Sequence, residues 1–124
     1  MVTVAEVRSF ALTLPRTTEA IVRGELKLRA GRVAYVSFSS DEALMRFAFP
    51  KDWRDALVDS EPDKYVAPDE CERRYNRALV RLDAIDATEM RELVLDAWAM
   101  VVPKRIAEAY AGNGATGEEE TRRA

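Results

Sequence analysis

Lysine and arginine side chains recur at alternating positions in several segments of the chain, and cations so spaced could bind a negatively charged ligand together. Lys27, Arg46, Arg77 and Arg81 lie in segments with a two-residue period, so each can share one face of a sheet with the others. Tyr35 falls on the same predicted face and offers a ring on which a base can stack. We expect no acid on this face. The residues therefore predict a nucleic-acid-binding surface whose cations contact phosphates. The alternative is an ordinary solvated sheet face, because any one-sided sheet shows such alternation.

The segment 61–76 is a second candidate surface. Its sequence, EPDKYVAPDECERRYN, is polar and interrupted by prolines, which predicts a loop with at most one turn of helix. Tyrosine and arginine are enriched at the anchor points of protein interfaces, and the segment supplies Tyr65, Arg73, Arg74 and Tyr75. Because so long a connection without structure of its own is uncommon, the segment predicts either a protein-interaction site or local order that the pattern does not reveal.

Several classes of enzyme are excluded by composition. The chain has no histidine, so it lacks the commonest general base and metal ligand and cannot form a Ser/His or Cys/His pair. Its five glycines occur singly, and no phosphate-binding loop or calcium-loop spacing is present. We therefore expect a protein that is not an enzyme and needs no metal or cofactor.

Length and overall composition predict one soluble domain. The chain has 124 residues, of which 48% are apolar and 33% charged. No apolar run could span a membrane, the first residues lack a signal-peptide design, and the single Cys71 fits a reducing compartment, so we expect a cytoplasmic protein. The net charge of −3 means that DNA binding would depend on segregation of cations onto one face. The oligomeric state does not follow from these totals.

The first predicted helix is defined at both ends. Thr3 and Glu6 have the spacing of a capping box, in which each side chain bonds the other residue's backbone amide. Apolar residues then recur at helical spacing as far as Leu14, and Pro15 ends the run because the residue before a proline is pushed out of helical geometry.

Strands are predicted at 19–23, 25–29, 32–39 and 43–49. A three-residue loop, Arg29-Ala30-Gly31, with glycine in the left-handed position would pair Leu28 with Arg32. A two-residue loop would instead flip the pairing and expose Phe38. The three-residue loop places the larger apolar set on one core face: Leu26, Leu28, Ala34, Val36, Phe38, Met45, Phe47 and Phe49.

The second half of the chain predicts helices around one further strand. A short helix follows Pro50, with Trp53, Ala56 and Leu57 on its buried side. The stretch from Ala78 to Tyr110 then reads as a strand, a cap formed by Asp86 and Glu89, and a long amphipathic helix that Pro103 kinks or replaces with a new one. The composition of 112–124 predicts a disordered tail after a single domain at 3–111.

These elements predict an α+β fold: a two-layer sandwich with the N- and C-terminal helices on one face of an antiparallel sheet of about five strands. The succession of Leu14-Pro15 with Thr18-Glu19, a β-meander, FAFPKDW, and then Asp86, Glu89, Leu93, Ala97 and Trp98 resembles the MmcQ/YjbR family of small bacterial proteins. The likeness covers about residues 3–110. It implies a fold similar to frataxin and CyaY, and it implies DNA binding.

Overall fold

A six-stranded antiparallel sheet and four helices make up the fold, in a computed structural model that describes residues 2–116, with side chains for 2–110. The strands are β1 (Thr17–Val22), β2 (Glu25–Ala30), β3 (Val33–Phe38), β4 (Leu44–Ala48), β5 (Tyr65–Val66) and β6 (Arg77–Arg81). The helices are α1 (Val4–Ala11), α2 (Lys51–Ser60), α3 (Ala87–Val101) and α4 (Lys104–Thr116). The strand order is β1-β2-β3-β4-β6-β5, which confirms the predicted α+β class.

The helices lie on one face of this open sheet. α3 packs on β3 and β4, and α1 packs on α3. At the centre, the Trp98 side chain is 1% exposed, and its Nε1–H donates to the Pro15 carbonyl at 2.8 Å. The Tyr110 ring of α4 packs edge-on against Trp98, with ring centroids 5.2 Å apart. This helix-side face of the sheet therefore holds the core, in the two-layer arrangement that the sequence predicts.

The predicted helix starts are confirmed, with one difference. Thr3 and Glu6 form the capping box reciprocally. Asp86 accepts a hydrogen bond from the Glu89 amide at 2.8 Å and caps α3. The Glu89 carboxylate does not complete a second box, because it accepts hydrogen bonds from Lys64 Nζ at 2.8 Å and Tyr65 Oη at 2.9 Å. Glu89 therefore joins the edge strand β5 to the helical layer.

The β2–β3 hairpin differs from the three-residue loop predicted at Arg29-Ala30-Gly31. Ala30 pairs with Val33, so the loop has two residues, and Gly31 adopts φ +63° at its first position, as a type II′ turn requires. The register then shifts between Leu28 and Arg29, where Tyr35 is the additional residue of a β-bulge.

With a two-residue loop alone, the large apolar residues of β3 would point away from the core. The extra residue of the bulge turns them back towards it. Leu28 pairs with Val36, and both are buried together with Phe38, so burial of the large apolar residues is as predicted. The two small-scale exceptions are Ala34, which is exposed rather than in the core, and Tyr35, which is in the core rather than on the opposite face.

The opposite side of the sheet, here named the outer face, carries the predicted cations. Direct pairing places Lys27, Ser37, Arg46 and Leu79 in one row across β2, β3, β4 and β6, because paired residues in neighbouring strands point the same way. Arg77 and Arg81 alternate with Leu79 along β6 and so share this face.

The segment 61–76 holds order that the sequence pattern does not reveal. It contains β5, which pairs with β6 and raises the strand number from about five to six. The turn at Asp69–Arg73 is closed by hydrogen bonds from the Glu72 and Arg73 amides to the Asp69 carbonyl. At the end of the chain, residues 112–116 of the predicted tail belong to α4, and 117–124 lie outside the described residues.

Candidate nucleic-acid interface

Arg46 lies at the centre of the outer face. It faces Ser37 on β3 and Leu79 on β6, and its side chain is 24% exposed. Its Nη1–H donates to the Phe38 carbonyl at 3.3 Å, which holds the guanidinium along the sheet. The strand therefore presents this cation in a defined orientation.

Glu72 brings a carboxylate over the same face. Its Oε1 lies 3.4 Å from Nε of Arg46 and 3.9 Å from Nη1 of Arg77. This oxygen is buried and has no hydrogen-bond partner within the described residues, so it is held by charge rather than by a well-aligned bond. The expectation of an acid-free face is therefore wrong, because the Asp69–Arg73 turn folds an acid from the loop onto the sheet.

Tyr75 stands beside these cations with 42% of its surface exposed. The Arg77 guanidinium carbon is 4.7 Å from the ring centroid and that of Arg74 is 5.0 Å away, both within cation–π range. Arg74 Nη2 also donates to the Tyr75 hydroxyl at 3.0 Å. An aromatic ring is thus held among arginines, an arrangement able to stack a base and contact its phosphate.

Arg54 positions the segment that carries Tyr75. Its side chain is 4% exposed and donates to three backbone carbonyls, those of Arg73 at 2.7 Å, Tyr75 at 2.9 Å and Arg77 at 3.0 Å. A buried guanidinium is tolerated here because these carbonyls satisfy most of its donors, although Nε lacks a partner among the described residues.

The orientation of α2 is consequently not the predicted one. Trp53 is 68% exposed and Ala56 is also exposed, whereas Arg54 is buried and Leu57 half-buried. Leu57 and Val58 pack against the core. Apolar periodicity misled the prediction because the partners of Arg54 lie 19 to 23 residues further along the chain.

A cavity of about 330 Å³ opens among these groups. Its cationic part is formed by Lys27, Arg46 and Arg77, and Ser37 and Asn76 add polar groups. Its apolar part lies at the end of the sheet, where Val33 begins β3 and Met100 stands in the last turn of α3, so the cavity extends from the outer face to the end of the helical layer. Val33 and Met100 are 51% and 45% exposed, and Tyr75 also lines the cavity. The cavity can therefore receive a ligand that combines an anion with a flat or apolar body.

Four of the five residues predicted for nucleic-acid binding line one cavity: the cations Lys27, Arg46 and Arg77, and Tyr35, which is only 2% exposed and belongs to the cavity wall. Arg81 lies four residues further along β6, about 13 Å from Arg77. It lines a different cavity, of about 490 Å³, with Asp41, Glu42 and Asp83. Arg81 therefore lies apart from Lys27, Arg46 and Arg77, in a cavity that acidic residues also line.

Tyr35 is the second exception, because the prediction that places it on the outer face is wrong. The bulge turns this residue into the core, where it is 2% exposed and its hydroxyl hydrogen-bonds Thr17 Oγ1 at 2.7 Å. Burial raises the pKa of its phenol. Its ring is closed to a ligand, and Tyr75 holds the exposed aromatic position instead.

The residues predicted for protein interaction divide between two places. Tyr65 is 4% exposed and bonds Glu89 at the helix-side face, so it is unavailable to a partner. Arg73, Arg74 and Tyr75 are exposed, and the last two adjoin the cationic cavity. The two surfaces predicted separately are thus largely one. Glu72 and Arg54 are the residues that sequence reasoning missed, since no local pattern marks their distant partners.

The described residues contain no group of three or more histidine, cysteine, aspartate or glutamate side chains placed to hold a metal ion. Cys71 is a free, exposed thiol. Within the same part of the chain, none of the helices has both the length and the apolarity needed to cross a bilayer.

Comparison with known sequences gives similarity to mycobacterial proteins over part of the chain. Uncharacterized protein Rv2570 of Mycobacterium tuberculosis and uncharacterized protein Mb2600 of Mycobacterium bovis are each 34% identical to it over 58 residues. These matches cover 47% of this chain and 44% of each relative, so the chain spans less than half the length of the curated relatives it matches. No family model matches the chain.

Among solved structures, the chain is similar to Deinococcus radiodurans protein DR2400, a DUF419 domain. The superposition has a TM-score of 0.71 and covers 91% of this chain and 88% of the other, with 19% sequence identity. At this identity the likeness concerns the backbone, and it establishes that this chain has the fold of that bacterial domain.

Proposed function

We propose that this chain is a non-enzymatic, cytoplasmic DNA-binding protein of the MmcQ/YjbR type, which contacts nucleic acid through the outer face. The observation that carries the proposal is the convergence of Lys27, Arg46 and Arg77 on one cavity beside the exposed ring of Tyr75. Cations supply phosphate contacts, and an accessible ring supplies stacking. The resemblance in the order of sequence elements supports the family, and the exposed thiol of Cys71 is consistent with a reducing compartment.

Charge segregation makes this proposal compatible with the acidic net charge. Three cations line the cavity, and the Glu72 carboxylate lies near two of them, at 3.4 Å from Arg46 and 3.9 Å from Arg77, although the whole chain has a net charge of −3. Nonspecific affinity for DNA depends on the phosphates that are neutralised locally. Three contacts on a duplex predict that log K falls with log salt with a slope of about −2.7.

The test is fluorescence anisotropy with a labelled 20-base-pair duplex and a labelled 20-nucleotide single strand at roughly 50 mM and 200 mM salt, the range over which phosphate contacts dominate affinity. Arg46→Gln with Arg77→Gln should weaken binding at least about tenfold and reduce the duplex slope to about −0.9. Arg91→Gln with Arg105→Gln is the matched control, because both arginines are exposed on helices. The proposal fails if the parent protein binds neither oligonucleotide, or if both double variants bind equally.

A protein-interaction domain is the second candidate, and the exposed Tyr75 and Arg74 favour it. The neighbouring start of α2 is tied to the same segment, because the Lys51 amide donates to Asn76 Oδ1 at 3.0 Å. A rigid surface with an exposed tyrosine and arginine suits an interface anchor. This candidate predicts that Arg74→Glu with Tyr75→Ala abolishes recovery of a co-purifying protein, and it fails if the intact chain purifies alone.

A further inference from the structure

We infer that the nucleic acid held at this site is single-stranded DNA, with one unstacked base inside the cavity lined by Lys27, Arg46, Arg77, Tyr75, Val33 and Met100. The inference rests on the proposed function and specifies the form of its ligand.

Exposed apolar side chains are concentrated at this cavity. Six large apolar residues are exposed within the described part of the chain: Leu12, Ile21, Val33, Trp53, Tyr75 and Met100. Three of the six line this single cavity, on β3, on the 61–76 segment and at the end of α3. A surface that bound only the phosphates of a duplex would have no use for such a lining, whereas the faces of an unstacked base require one.

The shape of the site also favours a base. A cavity of about 330 Å³ lies at the lower end of the range for small-molecule sites, which is roughly 300–1,000 Å³. A base within a duplex is stacked on its neighbours and cannot enter a recess unless it is extruded at a cost of a few kcal/mol, whereas a base in a single strand is already accessible. The cavity therefore discriminates in favour of the single strand.

Polar and cationic side chains at the cavity could bond the edge of the base and its phosphate. Ser37 and Asn76 line the cavity and can bond the edge of a base, since Asn76 uses only its Oδ1 to accept from the Lys51 amide. Arg46 and Arg77 lie beside each other through their shared partner Glu72, so they can hold the adjoining phosphate. One nucleotide can thus satisfy the apolar, polar and cationic parts together.

The test compares three labelled 12-mers by anisotropy: single-stranded oligothymidylate, an abasic strand with the same phosphates, and a duplex. We expect the single strand to bind about tenfold more tightly than either of the others. Met100→Ser should weaken single-strand binding about fivefold, as for loss of an apolar contact with one base, and should leave abasic binding unchanged. Because Met100 is 45% exposed, this variant should fold normally. Ile21→Ser is the control, since Ile21 is 67% exposed on β1 and does not line the cavity.

The outcomes separate this inference from the proposed function. Duplex binding as tight as single-strand binding would overturn the inference and leave DNA binding intact. Equal affinity for the abasic and thymidine strands, or an equal loss in Met100→Ser and Ile21→Ser, would also overturn base insertion. Absence of binding to all three oligonucleotides would overturn both.

Discussion

At the scale of single residues, Glu72 sets the charge of the outer face. Its Oε1 lies between Arg46 and Arg77, at 3.4 Å and 3.9 Å from their nearest nitrogens, without a hydrogen bond from either. It occupies a position where a ligand phosphate would be attracted by the same two guanidinium groups. An incoming anion must therefore displace this carboxylate or share the cations with it.

Replacing this carboxylate should strengthen DNA binding. Glu72→Gln keeps the size of the side chain but removes its charge, so Arg46 and Arg77 lose an internal competitor. We expect single-strand affinity to rise roughly threefold to tenfold, or about 0.7–1.4 kcal/mol, as for a partly exposed ion pair. Glu70→Gln is the matched control, since Glu70 is exposed in the same turn and forms no ion pair within the described residues. Equal affinities of the two variants would show that Glu72 does not compete with the ligand.

At the scale of elements, α2 acts as the support of the site. A short helix with a buried arginine fixes a segment that has little regular structure of its own, through three carbonyl bonds from Arg54 and one from Lys51 Nζ to the Arg74 carbonyl at 3.3 Å. These bonds restrain the backbone of Arg73, Tyr75 and Arg77, and so fix where the ring and the guanidinium groups point. The sheet supplies the floor of the site, and α2 holds one of its walls.

Removing the guanidinium should loosen that wall. Arg54→Met retains an unbranched chain but leaves three carbonyls without their donor, so we expect a loss of about 3 kcal/mol in the free energy of unfolding. Hydrogen exchange at the Tyr75 and Arg77 amides should accelerate more than exchange within α3. Arg73→Met is the control, because its side chain is exposed and only its carbonyl is used. Unchanged exchange across 73–77 would contradict the role of Arg54.

At the scale of the whole molecule, one contact ties the edge of the sheet to the helices. Tyr65 of β5 donates to Glu89 of α3, and Glu89 also accepts from Lys64. Burial, and then the hydrogen bond to Glu89, raise the pKa of the Tyr65 phenol well above its usual range. The folded state thus binds this proton more tightly than the unfolded state, whose tyrosine ionises near pH 10.

Stability should accordingly fall in alkali. Because the folded pKa is raised, the contribution of Tyr65 is fully present below about pH 10 and is lost as the pH rises towards the folded value. Tyr65→Phe should cost about 1 kcal/mol at neutral pH through the lost hydrogen bond. This difference in the free energy of unfolding should shrink between about pH 10 and pH 11. In that range the Tyr65 phenol ionises in the unfolded parent protein, which destabilises the parent's folded state, whereas the phenylalanine variant has no phenol to ionise at this position. Urea unfolding at several pH values measures it, and a difference that stays constant would contradict the assignment.

The sequence by itself determined the features that depend on neighbours in the chain. The capping box of Thr3 and Glu6, the cap at Asp86 and the alternation in β2, β3 and β4 are local, so their residue types predict helix ends and the core side of each strand. Lys27, Arg46 and Arg77 follow from the same alternation, which is why they were predicted for one face.

Only the tertiary structure decided which groups meet across the fold. The two-residue turn at Gly31 would have reversed the hairpin, and burial of Val36 and Phe38 selected a bulge that moved Tyr35 into the core. The partners of Arg54 and Glu72 are distant in sequence, and the periodicity of apolar residues does not predict such contacts. The elements are set by local chemistry, whereas the site is set by long-range pairing, because a buried charge is stable only where the folded chain supplies its counterpart.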